Sequence, residues 1–491
     1  MTNLTVVTSA MSGVRAVLLN PWVYWGLTIA YFATIISIIG VVLSENRNPL
    51  KSLAWITVLL LFPIGGLVLY IFFGRSIKNQ RMISRRNRRK LMQREEARMS
   101  RPDLSGMAPE HRQLLELGRS LNGAPFYAGN DVMLFHHGAD KFEQLFEDIE
   151  KARQYIHLQY YIIEDDNIGT RLSDLLKRKA REGVKVRVIY DHIGSIHVRN
   201  SFFRSMREAG IEVYPFFRVA FPPFATRINW RNHRKLCVID GMVGYIGGMN
   251  VADRYIDGGK DFKTWRDTHM RIKGPAIGAL QFSFAVDWNF MGQPLIETDT
   301  MAPAVSGDNS AGMQMLTCGP TSEWSNISLL MLKAIGTARK RIYLQTPYFL
   351  PPESLLKALQ TAALSRVDVR VMMPRKSDSL ILTYASYSYI FECLRAGIKI
   401  YLYNGGMLHS KTMMIDDEFS SIGSANIDFR SFEHNFESTM FVYSKKVNSE
   451  LRKQFEVDIQ DSERVQPSAW RHRPMHQKAV ESVVRLLSPI L

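Results

Sequence analysis

The chain has 491 residues, 46% of them hydrophobic and 22% charged, with a net charge of +16 and a pI near 9.6. That length holds two or three domains, and that balance excludes a disordered chain. Cys237, Cys318 and Cys393 are far apart and form no CxxC pair, which excludes a disulfide framework and fits a reducing compartment.

After an N-terminal tail (1–20), residues 21–44 carry no charged side chain. At about 1.5 Å per residue such a helix spans a bilayer core of about 30 Å. A second uncharged stretch, 53–74, is interrupted by Pro63, Gly65 and Gly66, which a membrane helix tolerates when neighbours satisfy the freed backbone. Trp22, Tyr24, Trp25 and Tyr70 suit interfacial positions, and a short link joins the stretches into a transmembrane helical hairpin over 21–74. A cleaved signal peptide fails because the first stretch is too long and a second follows at once. Residues 75–101 then hold eleven Lys and Arg against Glu95 and Glu96, a net +9 of the +16. Read as a basic juxtamembrane linker (75–120), this run makes the remainder cytoplasmic by the positive-inside rule and attracts anionic phospholipid. A protein lying along a duplex would carry its charge on the folded domain, so no nucleic-acid partner is expected.

From residue 121 the chain reads twice, over 121–305 and 306–465. Lys151-Ala152-Arg153 leads into Ile156-His157-Leu158-Gln159, and Thr337-Ala338-Arg339 into Ile342-Tyr343-Leu344-Gln345. A helical stretch follows each, then the alternating strands 184–188 and 367–371, then Ala209-Gly210-Ile211 and Ala396-Gly397-Ile398. This order is α/β and predicts a largely parallel sheet in each half, with the halves packed about a pseudo-twofold axis. The first half has extra residues at 216–232, where Val219-Ala220-Phe221-Pro222-Pro223-Phe224 reads as a lid or lipid-contacting rim. A tail (466–491) closes the chain. Its stretch 476–491 reads as an amphipathic helix with Ala479, Val480, Val483, Val484 and Leu487 on one face, resting on a membrane or docked on the domain.

Each repeat ends in one pattern. His233-Arg234-Lys235 precedes Asp240, and His409-Ser410-Lys411 precedes Asp416 at the same spacing; Gly247-Gly248-Met249-Asn250 and Gly423-Ser424-Ala425-Asn426 follow. A histidine and a lysine two apart on a strand share a face. Two such faces meeting offer two imidazoles and two ammonium groups to one phosphate, which is chemistry at phosphorus without a metal. No HExxH, cysteine cluster or EF-hand loop is present, so no metal and no cofactor is expected. Glu164-Asp165-Asp166 and His136-His137 read as loop residues.

On these residues the chain resembles the phospholipase D superfamily, and within it the bacterial cardiolipin synthases of the two-motif type. The resemblance implies two pseudosymmetric phospholipase D-like α/β repeats sharing one active site. It makes His233 the nucleophile, through a phosphohistidine, and His409 the general acid and base. Lys235 and Lys411 would hold the phosphoryl oxygens as point charges, with Asn250 and Asn426 donating to the same oxygens. Asp240 and Asp416 complete the motif and stand with the catalytic set, yet their parity and the turn-like pairs Asp240-Gly241 and Asp416-Asp417 argue for turns. Asp267 and Glu437 are the carboxylates expected to orient the imidazoles. The implied activity is phosphatidyl transfer, with phosphatidylglycerol as donor and acceptor, in a multi-pass protein of the bacterial inner membrane. A hydrolytic phospholipase D and a membrane-tethered phosphodiesterase or nuclease remain open, because nothing in the motif selects an alcohol over water.

Overall fold

Unbroken apolar sequence with no polar face makes Pro21–Ser44 a single helix of 24 residues. In the computed structural model, which describes residues 21–44, 49–70, 81–98, 104–218, 229–296, 302–307, 310–486 and 488, the chain divides into two units, Met1–Ser76 and Ile77–Leu491. Among the described residues of the first unit, one helix, over Pro21–Gly40, is long and apolar enough to cross a membrane. Thr28, Thr34 and Ser37 donate their hydroxyls to carbonyls four residues earlier, so these three need no water. The second uncharged stretch is not one helix. It breaks at Phe62 between Pro49–Leu61 and Pro63–Leu69, because a residue before proline is driven out of the helical region; Phe62 has φ −129° and ψ 75°. Residues 71–74 lie outside the described part.

In the second unit the first repeat supplies β1 (Phe126–Phe135), β2 (Tyr155–Tyr160), β3 (Lys185–Asp191), β4 (Glu212–Phe216), β5 (Leu236–Ile239), β6 (Val243–Gly247) and β7 (His269–Lys273). The second repeat supplies their counterparts β8 (Ala311–Cys318), β9 (Arg341–Gln345), β10 (Asp368–Pro374), β11 (Lys399–Tyr403), β12 (Thr412–Ile415), β13 (Phe419–Gly423) and β14 (Asn435–Tyr443). Hydrogen-bonded neighbours run β4-β3-β2-β5-β6-β7-β1-β8-β14-β13-β12-β9-β10-β11, a palindrome centred on the β1–β8 pair. Gly129, at φ 75°, marks an irregularity in β1: residues up to Asn130 pair with β8, and Asp131–Phe135 pair with β7.

The expectation of a largely parallel sheet is corrected. Only β2-β3-β4 and β9-β10-β11 run parallel; every other pair in the path is antiparallel. The cause is the tight turn after each histidine strand, since a short connection can only return the chain antiparallel. Asp240 and Asp416 sit in those turns at φ 52° and 51°. Asp240 accepts from the backbone N–H groups of Arg153, Gln154 and Tyr155 at 2.8 Å each. Asp416 does the same for Arg339, Lys340 and Arg341 at 2.7–3.0 Å. These aspartates tie the hairpin to the start of the first fully buried strand of each repeat, a backbone-holding place that accounts for their fixed distance from the histidine.

Residues 81–98 and 104–120 are not a free linker. Ile83 and Leu91 belong to the core cluster that contains Phe284 and Trp288, and Asn87 donates to Asn289 Oδ1 at 3.0 Å. The basic side chains of the helix Arg85–Arg98 described at its outer face, Arg85, Arg86, Arg88, Arg89 and Lys90, remain exposed. The segment 219–224 lies outside the described residues. The C-terminal helix runs Met475–Arg485 and meets the domain by its polar edge: buried Glu481 forks onto Arg473 at 2.6 and 2.9 Å, and Arg485 lies 4.2 Å from the Tyr389 ring. Val484 packs on the core while Val480 and Val483 stay exposed.

Replacing Asp240 by Ala strips three backbone donors of a charged acceptor. It should destabilise the domain by roughly 2–4 kcal/mol, while turnover per folded molecule stays within about threefold of wild type. Thermal unfolding alongside active-site-normalised rates checks this.

Candidate active site

Each histidine segment leaves its own repeat to pair with the other. Arg231–Asn232 runs parallel to Asn435–Phe436, and the His233 N–H donates to Phe436 O at 2.9 Å. Met407–Leu408 runs parallel to Trp265–Arg266, and the His409 N–H donates to Arg266 O at 2.7 Å. In both cases the next residue along the partner strand is an acid. His233 Nδ1 therefore lies 3.0 Å from Glu437 Oε1, and His409 Nδ1 lies 2.6 Å from Asp267 Oδ2. An Nδ1–H held by a carboxylate leaves Nε2 as the reactive nitrogen. Lys411 Nζ also stands 2.7 Å from His409 Nδ1. A charged acceptor outcompetes a neutral ring, so the Nδ1 proton goes to Asp267 and Lys411 donates to the His409 carbonyl.

The carboxylates are themselves held. Ser424 Oγ donates to Glu437 Oε2 at 2.5 Å. At the matching position Gly248 leaves room for the shorter Asp267, since a Cβ there would collide with its carboxylate. Behind them lie two further buried pairs. Arg234 Nη1 donates to Asp287 at 2.5 and 2.6 Å, and Arg266 reaches Asp458 at 3.0 Å. Gln159 and Gln345, at equivalent places in β2 and β9, donate to the same two aspartates at 2.5 and 2.7 Å.

Both imidazoles border one cavity of about 620 Å³, walled also by Tyr161, Arg231, Asn250, Arg254, Tyr255, Trp265, Tyr348, Asp378, Asn426 and Arg430. Lys235 and Lys411 are buried beneath the histidines, and Lys235 Nζ donates to the His233 carbonyl at 2.6 Å. Asn250 is engaged within the protein, accepting from the Ile162 N–H at 3.1 Å and donating to Tyr255 Oη at 2.5 Å. Asn426 lines the pocket with its buried Oδ1 unpartnered. Asp240 and Asp416 do not border it. Glu164 does, paired with Arg254 at 3.0 Å. Sequence reasoning noted the repeated glutamines without a role, and missed Arg234, Arg266, Asp287 and Asp458. The aspartates sit on helices whose repeat correspondence the sequence hides.

Burial lowers the His233 pKa; Glu437 opposes this, and Lys235 and Lys411 reinforce it. Burial, with Lys411 beside it, lowers His409 to about 4. Burial alone would raise Asp267 and Glu437, but Lys411 and His409 for the first, and His233 and Lys235 for the second, override it and hold both below the usual carboxylate range. Burial pushes Lys235 well down and Lys411 to about 8. The arrangement sets two imidazoles on one cavity with two buried lysines beneath them, each imidazole able to attack or to exchange a proton.

A family model described as "Cardiolipin synthase, PLD-like domain" matches residues 145–269 and again 331–459, and one described as "Phospholipase_D-nuclease N-terminal" matches 29–75. The chain is 40% identical over 475 residues to the major cardiolipin synthase ClsA of Bacillus subtilis, covering 95% of this chain and 98% of that one. It is 41% identical to a cardiolipin synthase of Listeria innocua, covering 94% and 99%. Among solved structures, phosphatidylserine synthase of Haemophilus influenzae superposes with TM-score 0.60 at 14% identity, covering 77% of this chain and all of that one; that likeness speaks for the fold alone. The fold and its paired sites are of the phospholipase D-like class. The chain belongs to the cardiolipin synthase family within it.

Because a nucleophilic imidazole must be neutral and His233 is lowered, turnover of a phosphodiester should persist below pH 6.5, the ordinary imidazole value. Lys411 loses its charge as pH rises through about 8, so a kcat/KM that depends on that charge should fall there. A pH–rate profile of the purified enzyme checks both limbs.

Proposed function

We propose that this protein is a phosphatidyl transferase that makes cardiolipin and glycerol from two molecules of phosphatidylglycerol. The observation that carries the reading is that the histidines of both His-x-Lys sets border one cavity, in a chain 40% identical along 95% of its length to a protein named a cardiolipin synthase. His233 Nε2 attacks the phosphorus of the donor lipid. The P–O bond to the head-group glycerol breaks, and the protonated His409 gives its proton to that oxygen. Glycerol leaves a phosphatidyl-histidine. His409, now neutral, takes the proton from a hydroxyl of the second phosphatidylglycerol, whose oxygen displaces His233 from phosphorus. Lys235 and Lys411 hold the non-bridging oxygens throughout, and Asn426, whose buried carboxamide oxygen has no partner among the described residues, is less constrained than Asn250 and offers its NH2 to those oxygens.

His409 must be protonated to act first as an acid, yet burial and Lys411 hold its pKa near 4. A bound phosphodiester adds a negative charge between the two lysines, and that charge favours the imidazolium. Substrate binding thus supplies the acid form. For the N-terminal unit, the reading is two membrane passes, with residues 53–74 as the second. The eleven basic residues of 75–101 keep the catalytic domain on the cytoplasmic side.

Purified protein in phosphatidylglycerol vesicles should release glycerol and cardiolipin in equal amounts. Phosphatidic acid without cardiolipin would make water the acceptor, and neither product would refute the reading. His233→Ala and His409→Ala should each lower turnover by roughly 10³-fold.

A further inference from the structure

The catalytic cavity is too small and too polar to take up a whole phospholipid. Its volume is about 620 Å³ and its wall is largely charged, amide and aromatic. Drawing two long acyl chains out of a bilayer would cost about 0.8 kcal/mol per methylene, on the order of 20 kcal/mol in all. If the substrate is a phospholipid, its phosphate must reach the histidines while its chains stay in the membrane. The mouth of the cavity must then meet the bilayer, and the side chains around that mouth are informative.

Two segments form part of the mouth, one from each repeat. Residues 258–262 line it from the first repeat, and Asp378 and Leu382 from the second. Lys376 Nζ lies 5.9 Å from the Phe262 ring, so the segments meet. Between and beside these lining residues stand apolar side chains turned to solvent: Leu380 is 63% exposed, Ile381 50%, Tyr384 36% and Ile256 37%. Leu380, Ile381 and Tyr384 open the helix Leu380–Arg395 and, at i, i+1 and i+4, share its outer side. Ser379 caps that helix through the Leu382 N–H, which fixes how its first turn projects. Isolated surface apolar residues need no explanation, but a group gathered at a pocket mouth marks an interaction surface. The charge there is balanced: exposed Lys260, Lys263 and Lys376 stand with Asp257, Asp261 and Asp378. Attraction to anionic lipid is therefore not what this surface offers; apolar insertion is.

We propose that the first turn of the helix Leu380–Arg395, with exposed Ile256 next to the lining residue Tyr255, is a membrane-inserting lip that seats the cavity on the acyl region of a phospholipid bilayer. The lip rests on the phospholipid-substrate reading for its purpose, but its insertion can be measured without any turnover. It differs from the four membrane contacts that the sequence suggests, namely the hairpin over 21–74, the basic run, the loop at 219–224 and the C-terminal helix.

The test uses the full chain reconstituted in vesicles. The three native cysteines are buried, so Ile381→Cys can be labelled selectively with a fluorophore. Ser365→Cys is the control: Ser365 is exposed and lies just before β10, at the opposite end of the parallel strands from the cavity. Phosphatidylglycerol brominated in its acyl chains should quench the label at 381 at least about threefold more than the label at 365. In parallel, the Leu380→Asp, Ile381→Asp double variant is assayed on long-chain phosphatidylglycerol in vesicles and on dibutanoyl phosphatidylglycerol dissolved in water. Turnover of the vesicle lipid should fall at least about tenfold, and that of the soluble lipid should change less than about twofold. Quenching at 381 no greater than at 365, or a variant that handles vesicle lipid as wild type does, would overturn the lip. Selective quenching at 381 in a protein that makes no cardiolipin would support the lip and count against the lipid-transfer reading instead.

Discussion

The carboxylate that orients each imidazole belongs to the other repeat. Glu437 comes from β14 and holds His233; Asp267 precedes β7 and holds His409. Two short parallel pairings, 231–232 with 435–436 and 407–408 with 265–266, bring these groups into register. Neither half could assemble a working histidine alone. This exchange explains why the strand order is palindromic about β1 and β8, since only a shared centre lets both crossings form at once. It also explains the second ring of buried pairs, Arg234 with Asp287 and Arg266 with Asp458. Removing one partner of a buried ion pair leaves an uncompensated charge at a cost of about 3–5 kcal/mol, so the ring fixes the crossings rather than merely filling space.

The electrostatics of the cavity follow from the same exchange. Two buried lysines stand beside two carboxylates, and burial disfavours the charged form of both imidazoles. On the proposed mechanism, neutrality suits the nucleophile and is wrong for the acid. The phosphodiester's own charge resolves the conflict by tipping one imidazole toward its protonated form. A site built this way stays quiescent toward protons until an anion occupies it.

Much of this was legible in the sequence. The doubled His-x-Lys spacing places imidazole and ammonium on one face in each repeat, and the matched glycine and asparagine positions fix where the chain turns. The turn reading of Asp240 and Asp416 rests on parity and on the pairs Asp240-Gly241 and Asp416-Asp417, and the backbone donors they satisfy agree with it. The parallel sheet did not survive, because alternation marks a strand without giving the direction of its neighbour. The basic segment read as a linker because its charge drew attention away from Ile83 and Leu91, which anchor it to the core. The mouth of the cavity was invisible because residues 256–263 and 375–384 lie where the two repeats no longer correspond.

The account turns on a covalent intermediate at one of two nearly equivalent histidines. Mixing the enzyme with phosphorus-labelled phosphatidylglycerol, quenching in alkali, where phosphohistidine survives, and mapping the label by peptide sequencing tests it directly. The account predicts label on the peptide carrying His233 and its loss in His233→Ala. Label on His409, or cardiolipin accumulating with no labelled histidine, would contradict it.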